Sequence, residues 1–225
     1  MNEYNTKVKK IKKFSEGSIS ISLEKPKELN FKAGQFMMIH CNGKEKPFSI
    51  GSHPSEKTLD FLIKVHQNGK ITPKLCNLKK GSPLKISGPY GTFIVKSTLD
   101  KEIFFIASGT GISPFRAMVK EALKNNPDKK ITLIFGFRNN FYYKKEFEKL
   151  EQEYSNFNLI PSCSAPKKTW KGKTGRVTEH IKEIIKSPDY KEVYICGMPE
   201  MVKTVKTMLI DEIGLKTEQV HVEEW

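Results

Sequence analysis

The segment Ile103-Phe104-Phe105-Ile106-Ala107-Ser108-Gly109-Thr110-Gly111-Ile112-Ser113-Pro114-Phe115 is the stretch of this chain most suggestive of chemistry. An apolar run stops at Gly109-Thr110-Gly111, and a helical pattern starts at once behind it. A buried strand, a tight turn and a helix N-terminus form a natural cradle for a nucleotide phosphate or ribose. Ser113 is expected as N-cap and Pro114 at the first helical position. Against the strict dinucleotide fingerprint the loop fails, because Pro114 stands where the third glycine belongs. The acidic residue expected after the second strand is also missing, and Gly136-Phe137-Arg138-Asn139 stands there. A plain strand–helix turn is the alternative.

Other stretches carry groups of the same kind. In Gly69-Lys70-Ile71-Thr72-Pro73, Thr72 is expected to cap a short helix with Pro73 in its first turn. Unpaired N–H groups at such a terminus attract an anion, although an ordinary crossover helix would look the same. Lys46-Pro47-Phe48-Ser49 offers a cation for a diphosphate, a flat ring for stacking and a hydroxyl for a heteroatom. It also reads as core plus surface. Val193-Tyr194-Ile195-Cys196-Gly197-Met198-Pro199 is a buried strand ending in Cys-Gly, with Pro199 opening a helix. Cys196 is then either a thiol at a strand carboxyl end or a buried structural cysteine. Trp225 could stack on a flat ligand or fray.

The elements that must position these groups fall into two kinds. Before residue 98, short strands are expected at Val8–Phe14, Ile19–Leu23, Gln35–His40, Phe48–Gly51, Leu59–Val65 and Leu84–Ser87. Turn clusters such as Asn42-Gly43 and Asn68-Gly69 separate them, and a short helix at Pro73–Leu78 interrupts them. This pattern predicts an antiparallel β-barrel. After residue 98, strands at Ile103–Ala107, Ile131–Phe135, Phe157–Ile160, Val193–Cys196 and Val220–Val222 alternate with helices. The helices are placed at Pro114–Asn125, Lys144–Tyr154, Val177–Lys186 and Pro199–Glu212. That alternation predicts a Rossmann-like α/β domain with a parallel sheet. The expected domains are 1–97 and 98–225. Ligands of open α/β sheets sit at strand carboxyl ends, so a cofactor held by the barrel could face a second one held by the sheet.

Composition bounds the function. The 225 residues, 37% hydrophobic and 28% charged, suit a soluble globular protein. No apolar run approaches the roughly 20 residues of a membrane span. The first residues lack a signal-peptide pattern, so the cytoplasm is the expected location. The four cysteines, Cys41, Cys76, Cys163 and Cys196, form no C-x-x-C pair, which argues against a metal centre and against a disulfide framework. A net charge of +14 could attract nucleic acid, anionic cofactors or acidic proteins, or reflect a lysine-rich proteome. The lysines are scattered without an aromatic-studded basic motif, so nucleic acid is not expected as a partner.

Taken in order, Lys-Pro-Phe-Ser, Gly-Lys-Ile-Thr-Pro, Gly88-Pro89-Tyr90-Gly91, Gly-Thr-Gly-Ile-Ser-Pro and Cys-Gly-Met-Pro resemble the ferredoxin–NADP⁺ reductase superfamily over nearly the whole chain. The resemblance implies FAD on the barrel and NADP(H) or NAD(H) on the α/β domain, with hydride passing from nicotinamide C4 to flavin N5. By that likeness Lys46 pairs the FAD diphosphate, Pro47 belongs to the same motif, Phe48 stacks on the isoalloxazine and Ser49 approaches N5. Leu62, Ile63, Lys64 and Val65 match a strand lining the flavin. Lys70, Ile71 and Thr72 match the segment that caps the diphosphate. Lysine and phenylalanine stand where the family pattern has arginine and tyrosine. One change loses a two-pronged contact and the other a phenolic hydroxyl.

On the second domain, Gly109, Thr110 and Gly111 match the nicotinamide loop. Cys196, with Gly197 and Met198, matches a cysteine that positions the nicotinamide ring. Trp225 matches a C-terminal aromatic that covers the flavin. Ser49, Cys196 and Trp225 are thus the expected catalytic positions. Arg138 and Arg176 match arginines that bind a 2′-phosphate, which favours NADPH over NADH. Ser164 matches a serine of that subsite, but Ala165 follows it instead of arginine; Lys167 or Lys168 might substitute. The expected acceptor is a ferredoxin or flavodoxin, steered by the positive charge. The alternatives are an NAD(P)H:flavin reductase releasing free reduced flavin, and an electron-transfer subunit of a larger redox complex.

Overall fold

A computed structural model describes residues 2–15, 17–96 and 102–224. The chain divides into two compact units, 1–95 with 113–118, and 96–112 with 119–225. The boundary expected between residues 97 and 98 lies outside the described residues.

The first unit contains β1 (Glu3–Phe14), β2 (Ser18–Glu24), β3 (Phe36–Cys41), β4 (Lys44–Ser49), β5 (Thr58–Lys64), the short helix α1 (Thr72–Cys76) and β6 (Pro83–Tyr90). The strands form an antiparallel sheet in the order β4-β3-β6-β1-β2-β5. Its two ends meet just beyond β4: the Gly51 N–H donates to the Asp60 carbonyl at 2.7 Å, and the Asp60 N–H to Ser52 Oγ at 3.1 Å. This closure curls the sheet into the expected barrel and leaves no free edge at that point. Alternate residues fill the interior, among them Ile19, Ile21 and Leu23 from β2 and Leu59, Phe61 and Ile63 from β5. β4 runs Lys44–Ser49 rather than Phe48–Gly51. Asn42 and Gly43 both have positive φ, 52° and 69°, so pairing starts directly at Cys41 opposite Lys44.

The second unit holds β7 (Glu102–Ser108), most of α2 (Ile112–Asn125), β8 (Ile131–Phe137), α3 (Lys144–Glu153), β9 (Phe157–Cys163), β10 (Lys173–Thr174), α4 (Ile181–Ile184), β11 (Lys191–Cys196), α5 (Pro199–Thr207) and β12 (Val220–Glu223). All its strand pairs are parallel, in the order β10-β9-β8-β7-β11-β12. The strands are buried on both faces, which explains their unbroken apolar runs. The helix expected at Val177–Lys186 is a 3₁₀ turn, Val177–His180, followed by α4. The one expected at Pro199–Glu212 is α5 continued by a π turn, Met208–Glu212. β10 is two residues long and leaves no periodic signal in the sequence.

Helix starts differ from expectation. α2 begins at Ile112 behind a 3₁₀ turn, Gly109–Gly111, and Ser113 does not cap it. The Ser113 hydroxyl donates instead to the Ser49 carbonyl at 3.4 Å. Likewise Thr72 lies inside α1, and its Oγ1 accepts the His66 N–H at 3.0 Å. In both cases a fixed loop captured the hydroxyl, an outcome set by tertiary packing. Among the described residues, no helix is long and apolar enough to cross a membrane.

Phe105, fully buried in β7 with its ring centroid 5.5 Å from that of Tyr194, sits at the centre of the second unit. Phe105→Ala is expected to cost about 3–5 kcal/mol, read as a lowered urea midpoint with FAD and nucleotide absent.

Candidate functional site

On the first unit the expected residues gather along β4, β5 and the start of α1. Lys46, Pro47 and Phe48 are half-buried and Ser49 is buried. The Phe48 ring packs against the barrel core. In β5 the side chains alternate. Ile63 enters the core cluster, while Leu62 is buried outside it and Lys64 is exposed. Ile71 is also a core residue. Ile63 and Ile71 can therefore offer a ligand only backbone, and the Thr72 hydroxyl is already engaged.

The charge arrangement was not anticipated. The Lys70 ammonium, in hydrogen-bond contact with Lys44, holds the Lys44 amine below the usual lysine range, with desolvation and the Lys74 charge adding to the effect. Lys44, Lys70 and Lys74 thus bring like charges together where the β3–β4 hairpin meets α1. With only five residues α1 has little dipole, so the cations carry any anion site here. A diphosphate answers this cluster, and the half-exposed Phe48 ring answers a flat heterocycle; the residues fit a flavin dinucleotide. Lys44 could have been found from the sequence, since it shares a strand face with Lys46 at period two. Lys74 follows Lys70 by one helical turn.

On the second unit, β7 has β8 on one side and β11 on the other. This is the point where the strand order reverses, and ligands of open α/β sheets bind there. The loops leaving β7 and β11 interlock. The Met198 N–H donates to Ser108 Oγ at 3.1 Å. A methyl group at Gly111 would lie 2.4 Å from the Cys196 carbonyl oxygen, and one at Gly197, φ 157°, would lie 2.3 Å from Ser108 Oγ. The expected Gly109-Thr110-Gly111 and Cys196-Gly197-Met198 stretches are therefore one surface. Its members are graded in exposure: Cys196 is buried, Thr110 and Gly197 are half-buried and Met198 is 59% exposed.

The expected phosphate residues lie further along the same sheet edge. Arg138 follows β8, Ser164 follows β9, and Arg176 precedes the 3₁₀ turn; all three are exposed. The Ser164 N–H donates to the Phe137 carbonyl at 2.9 Å. β10 pairs with Ser162 and Cys163, and Ser162 Oγ donates to the Gly175 carbonyl at 2.9 Å, which pins the loop carrying Arg176 to the end of β9. β9 is two strands from β7, about 10 Å at the usual strand spacing, a step that a dinucleotide can span. Among the described residues no cluster could hold a metal ion.

β12 lies in parallel register with β11, placing Glu223 opposite Cys196. His221 Nε2 lies 2.6 Å from the buried Glu192 carboxylate and its ring stacks on Tyr194, which hold this register. Burial pushes the Cys196 thiol well above its ordinary range, and the negative charge of Glu223 pushes it further. Burial likewise pushes the Tyr194 phenol up to about 12, although its oxygen accepts the Lys96 N–H at 2.8 Å. Cys196 therefore stays a neutral thiol. Ser108 and Glu223 were not singled out from the sequence, and only the parallel register identifies them. Trp225 lies outside the described residues.

An antiparallel barrel with a cation-and-ring site, followed by a doubly wound sheet with a switch-point loop pair, defines a two-domain flavin and nicotinamide nucleotide oxidoreductase. Residues 5–94 match the family described as oxidoreductase FAD-binding domain, and residues 105–207 the oxidoreductase NAD-binding domain. The chain is 30% identical over 203 residues to a probable flavin reductase of Aliivibrio fischeri, covering 87% of this chain and 86% of that one. It is 31% identical over 232 residues to the phenol hydroxylase P5 protein of Acinetobacter pittii, covering 99% of this chain but 65% of that protein. Against other curated relatives it spans about half their length, 48% to 49%. A solved ferredoxin NADP⁺ reductase from Neisseria gonorrhoeae, with bound FAD and NADP, superposes with a TM-score of 0.85 at 20% identity over 98% of each chain, which shows the fold. The chain belongs to the ferredoxin–NADP⁺ reductase-like family of oxidoreductases with FAD-binding and NAD-binding domains.

The raised thiol predicts reactivity. At about pH 8 an alkylating reagent should label the partly exposed Cys41 and Cys76 and leave Cys196 intact in the folded protein, as read by peptide mass spectrometry.

Proposed function

We propose that this chain oxidises NADPH through FAD bound to its barrel and passes the electrons to a separate carrier protein of the ferredoxin or flavodoxin kind. The observation that carries this reading is the interlocked loop pair at the switch point, where Cys196 and the Gly109–Gly111 turn form one surface. When bound, FAD would supply the exchange between hydride acceptance and single-electron release.

The chain's own residues bind and orient. Lys46, with Lys44, Lys70 and Lys74 beside it, offers charge to the flavin diphosphate. Phe48 offers a ring face, and Ser49 a hydroxyl at the end of β4. The Gly109–Gly111 backbone and the neutral Cys196 thiol orient the nicotinamide; an uncharged thiol there positions the ring without attacking it. Arg138, Ser164 and Arg176 take the 2′-phosphate. This assignment is favoured by their exposure and by the absence, among the described residues, of an ion-pair partner for either guanidinium. Trp225 covers the flavin until nicotinamide arrives. A second reading, release of free reduced flavin, is favoured by the lysine at position 46, a weaker diphosphate clamp than arginine, and by the likeness to a probable flavin reductase.

Anaerobic titration tests the cofactor and the donor together. The purified protein should be yellow, or take up added FAD, and NADPH should bleach it more readily than NADH. Arg138→Ala with Arg176→Ala should weaken NADPH by roughly 10- to 100-fold and NADH little, as expected for lost charge-assisted phosphate contacts. Equal losses for both donors would remove the phosphate role, and a colourless protein that takes up no FAD would sink the reading.

The carrier is tested by salt. With a net charge of +14, reduction of an acidic carrier should slow by roughly tenfold or more as ionic strength rises, whereas bleaching by NADPH should change less. Flavin lost on gel filtration, with carrier reduction insensitive to salt, would favour the second reading.

A further inference from the structure

The N-terminal part of α2, residues 113–118, packs within the first unit, and Arg116 is its anchor. Arg116 Nη2 donates to Glu56 Oε2 at 3.0 Å. Nη1 donates to the Gly51 carbonyl at 3.1 Å and faces Asp60 Oδ2 at 3.4 Å. The three side chains are mostly buried, 12%, 26% and 17% exposed for Arg116, Glu56 and Asp60. Each carboxylate is braced from behind. The His53 N–H donates to Glu56 Oε1 at 3.0 Å, and Thr58 Oγ1 to Asp60 Oδ1 at 3.1 Å. Next to this clasp the Ser113 hydroxyl reaches the Ser49 carbonyl.

Neither the helix nor the sheet needs this clasp to form. Both have their own backbone ladders, and a buried ion pair contributes no more stability than well-packed apolar side chains of the same volume. What a planar guanidinium with two braced acceptors supplies is direction: its donors leave in a fixed plane, so the helix can dock in one orientation. The loop held on one side follows directly from Ser49. The turn held on the other follows directly from Gly109-Thr110-Gly111, with Ile112 as the only residue between Gly111 and Ser113.

We propose that Arg116 is a positioning residue for hydride transfer, fixing the end of β4 that carries Ser49 against the turn that continues from Gly109–Gly111. The inference rests on the roles given to Ser49 and to that loop under the proposed function. It adds a residue that binds neither cofactor and acts through the two segments that do.

The test compares Arg116→Ala, Arg116→Lys and Glu56→Gln with the unaltered chain. Amide hydrogen exchange in the full chain without nucleotide is expected to speed up over residues 50–60 in Arg116→Ala, including the Gly51 amide bonded to Asp60. In the holoprotein, FAD content and NADPH affinity should stay at the unaltered level. Single-turnover bleaching at saturating NADPH should fall by roughly 10- to 100-fold, the scale of a sub-ångström to 1 Å misplacement. The isotope effect with NADPH deuterated at C4 should become more temperature-dependent. Arg116→Lys, which keeps the charge but loses the fork, and Glu56→Gln, which loses one charge but keeps an acceptor, should lie between the extremes. Unchanged bleaching in Arg116→Ala overturns the inference alone, as does a rate loss that FAD loss or weaker NADPH binding accounts for in full. An unaltered holoprotein that neither nucleotide bleaches overturns the functional reading and the inference with it.

Discussion

The second unit depends on two backbones passing closer than side chains permit. The turn after β7 and the turn after β11 touch at Gly111 and Gly197, and a single methyl group at either would drive into Cys196 or Ser108. Close approach needs glycine, and the Ser108 hydroxyl then ties the loops by accepting the Met198 N–H. Much else in the unit follows. Parallel strands put both turns at the same sheet edge, and the reversal of strand order at β7 puts them side by side. Glu192, His221 and Tyr194 then hold β12 in the register that brings Glu223 to Cys196.

The barrel solves a different problem. Its closure between Gly51 and Asp60 fixes the end of β4, and the β3–β4 turn fixes its start. Between them lies a short strand whose side chains alternate, so Lys44, Lys46 and Phe48 fall on one face. Lysine ammonium groups at Lys44, Lys70 and Lys74 do not favour one another, as the lowered Lys44 amine records. The fold tolerates this crowding at the surface, where water screens it, and a dianionic ligand would relieve it. Charge is thus concentrated where a diphosphate needs it.

The order of strands and helices was legible in the sequence because each unit uses one period throughout. Gly-rich punctuation also placed the switch-point loops correctly before any register was known. What was not legible depended on partners distant in sequence. Ser113 and Thr72 carry ordinary capping chemistry, yet their hydroxyls bond Ser49 and His66. Glu223 is unremarkable in the string Val-His-Val-Glu-Glu and becomes interesting only opposite Cys196. Ile63 and Ile71 fall within matching motifs, but alternation and core packing turn their side chains away from any ligand. Arg116, one residue after Phe115, reads as a solvated helical cation until Glu56 and Asp60 enclose it.

Cofactors that carry their own reactive atoms change what a protein must supply. Among the described residues, Cys196 and Tyr194 are buried groups displaced toward their neutral forms, the first beside the proposed nicotinamide loop and the second beneath it in the same strand. A nucleophile needs the opposite displacement, toward the thiolate. A thiol that holds its proton, set among glycines that let backbone approach, is suited to shape and contact. The positive charge is kept apart from it, at Arg138 and Arg176 and along the barrel's lysines, where ligands bear phosphate. This division puts ordering groups near the reacting ring and charge at the phosphates, and it makes the rate depend on how firmly the loops are held.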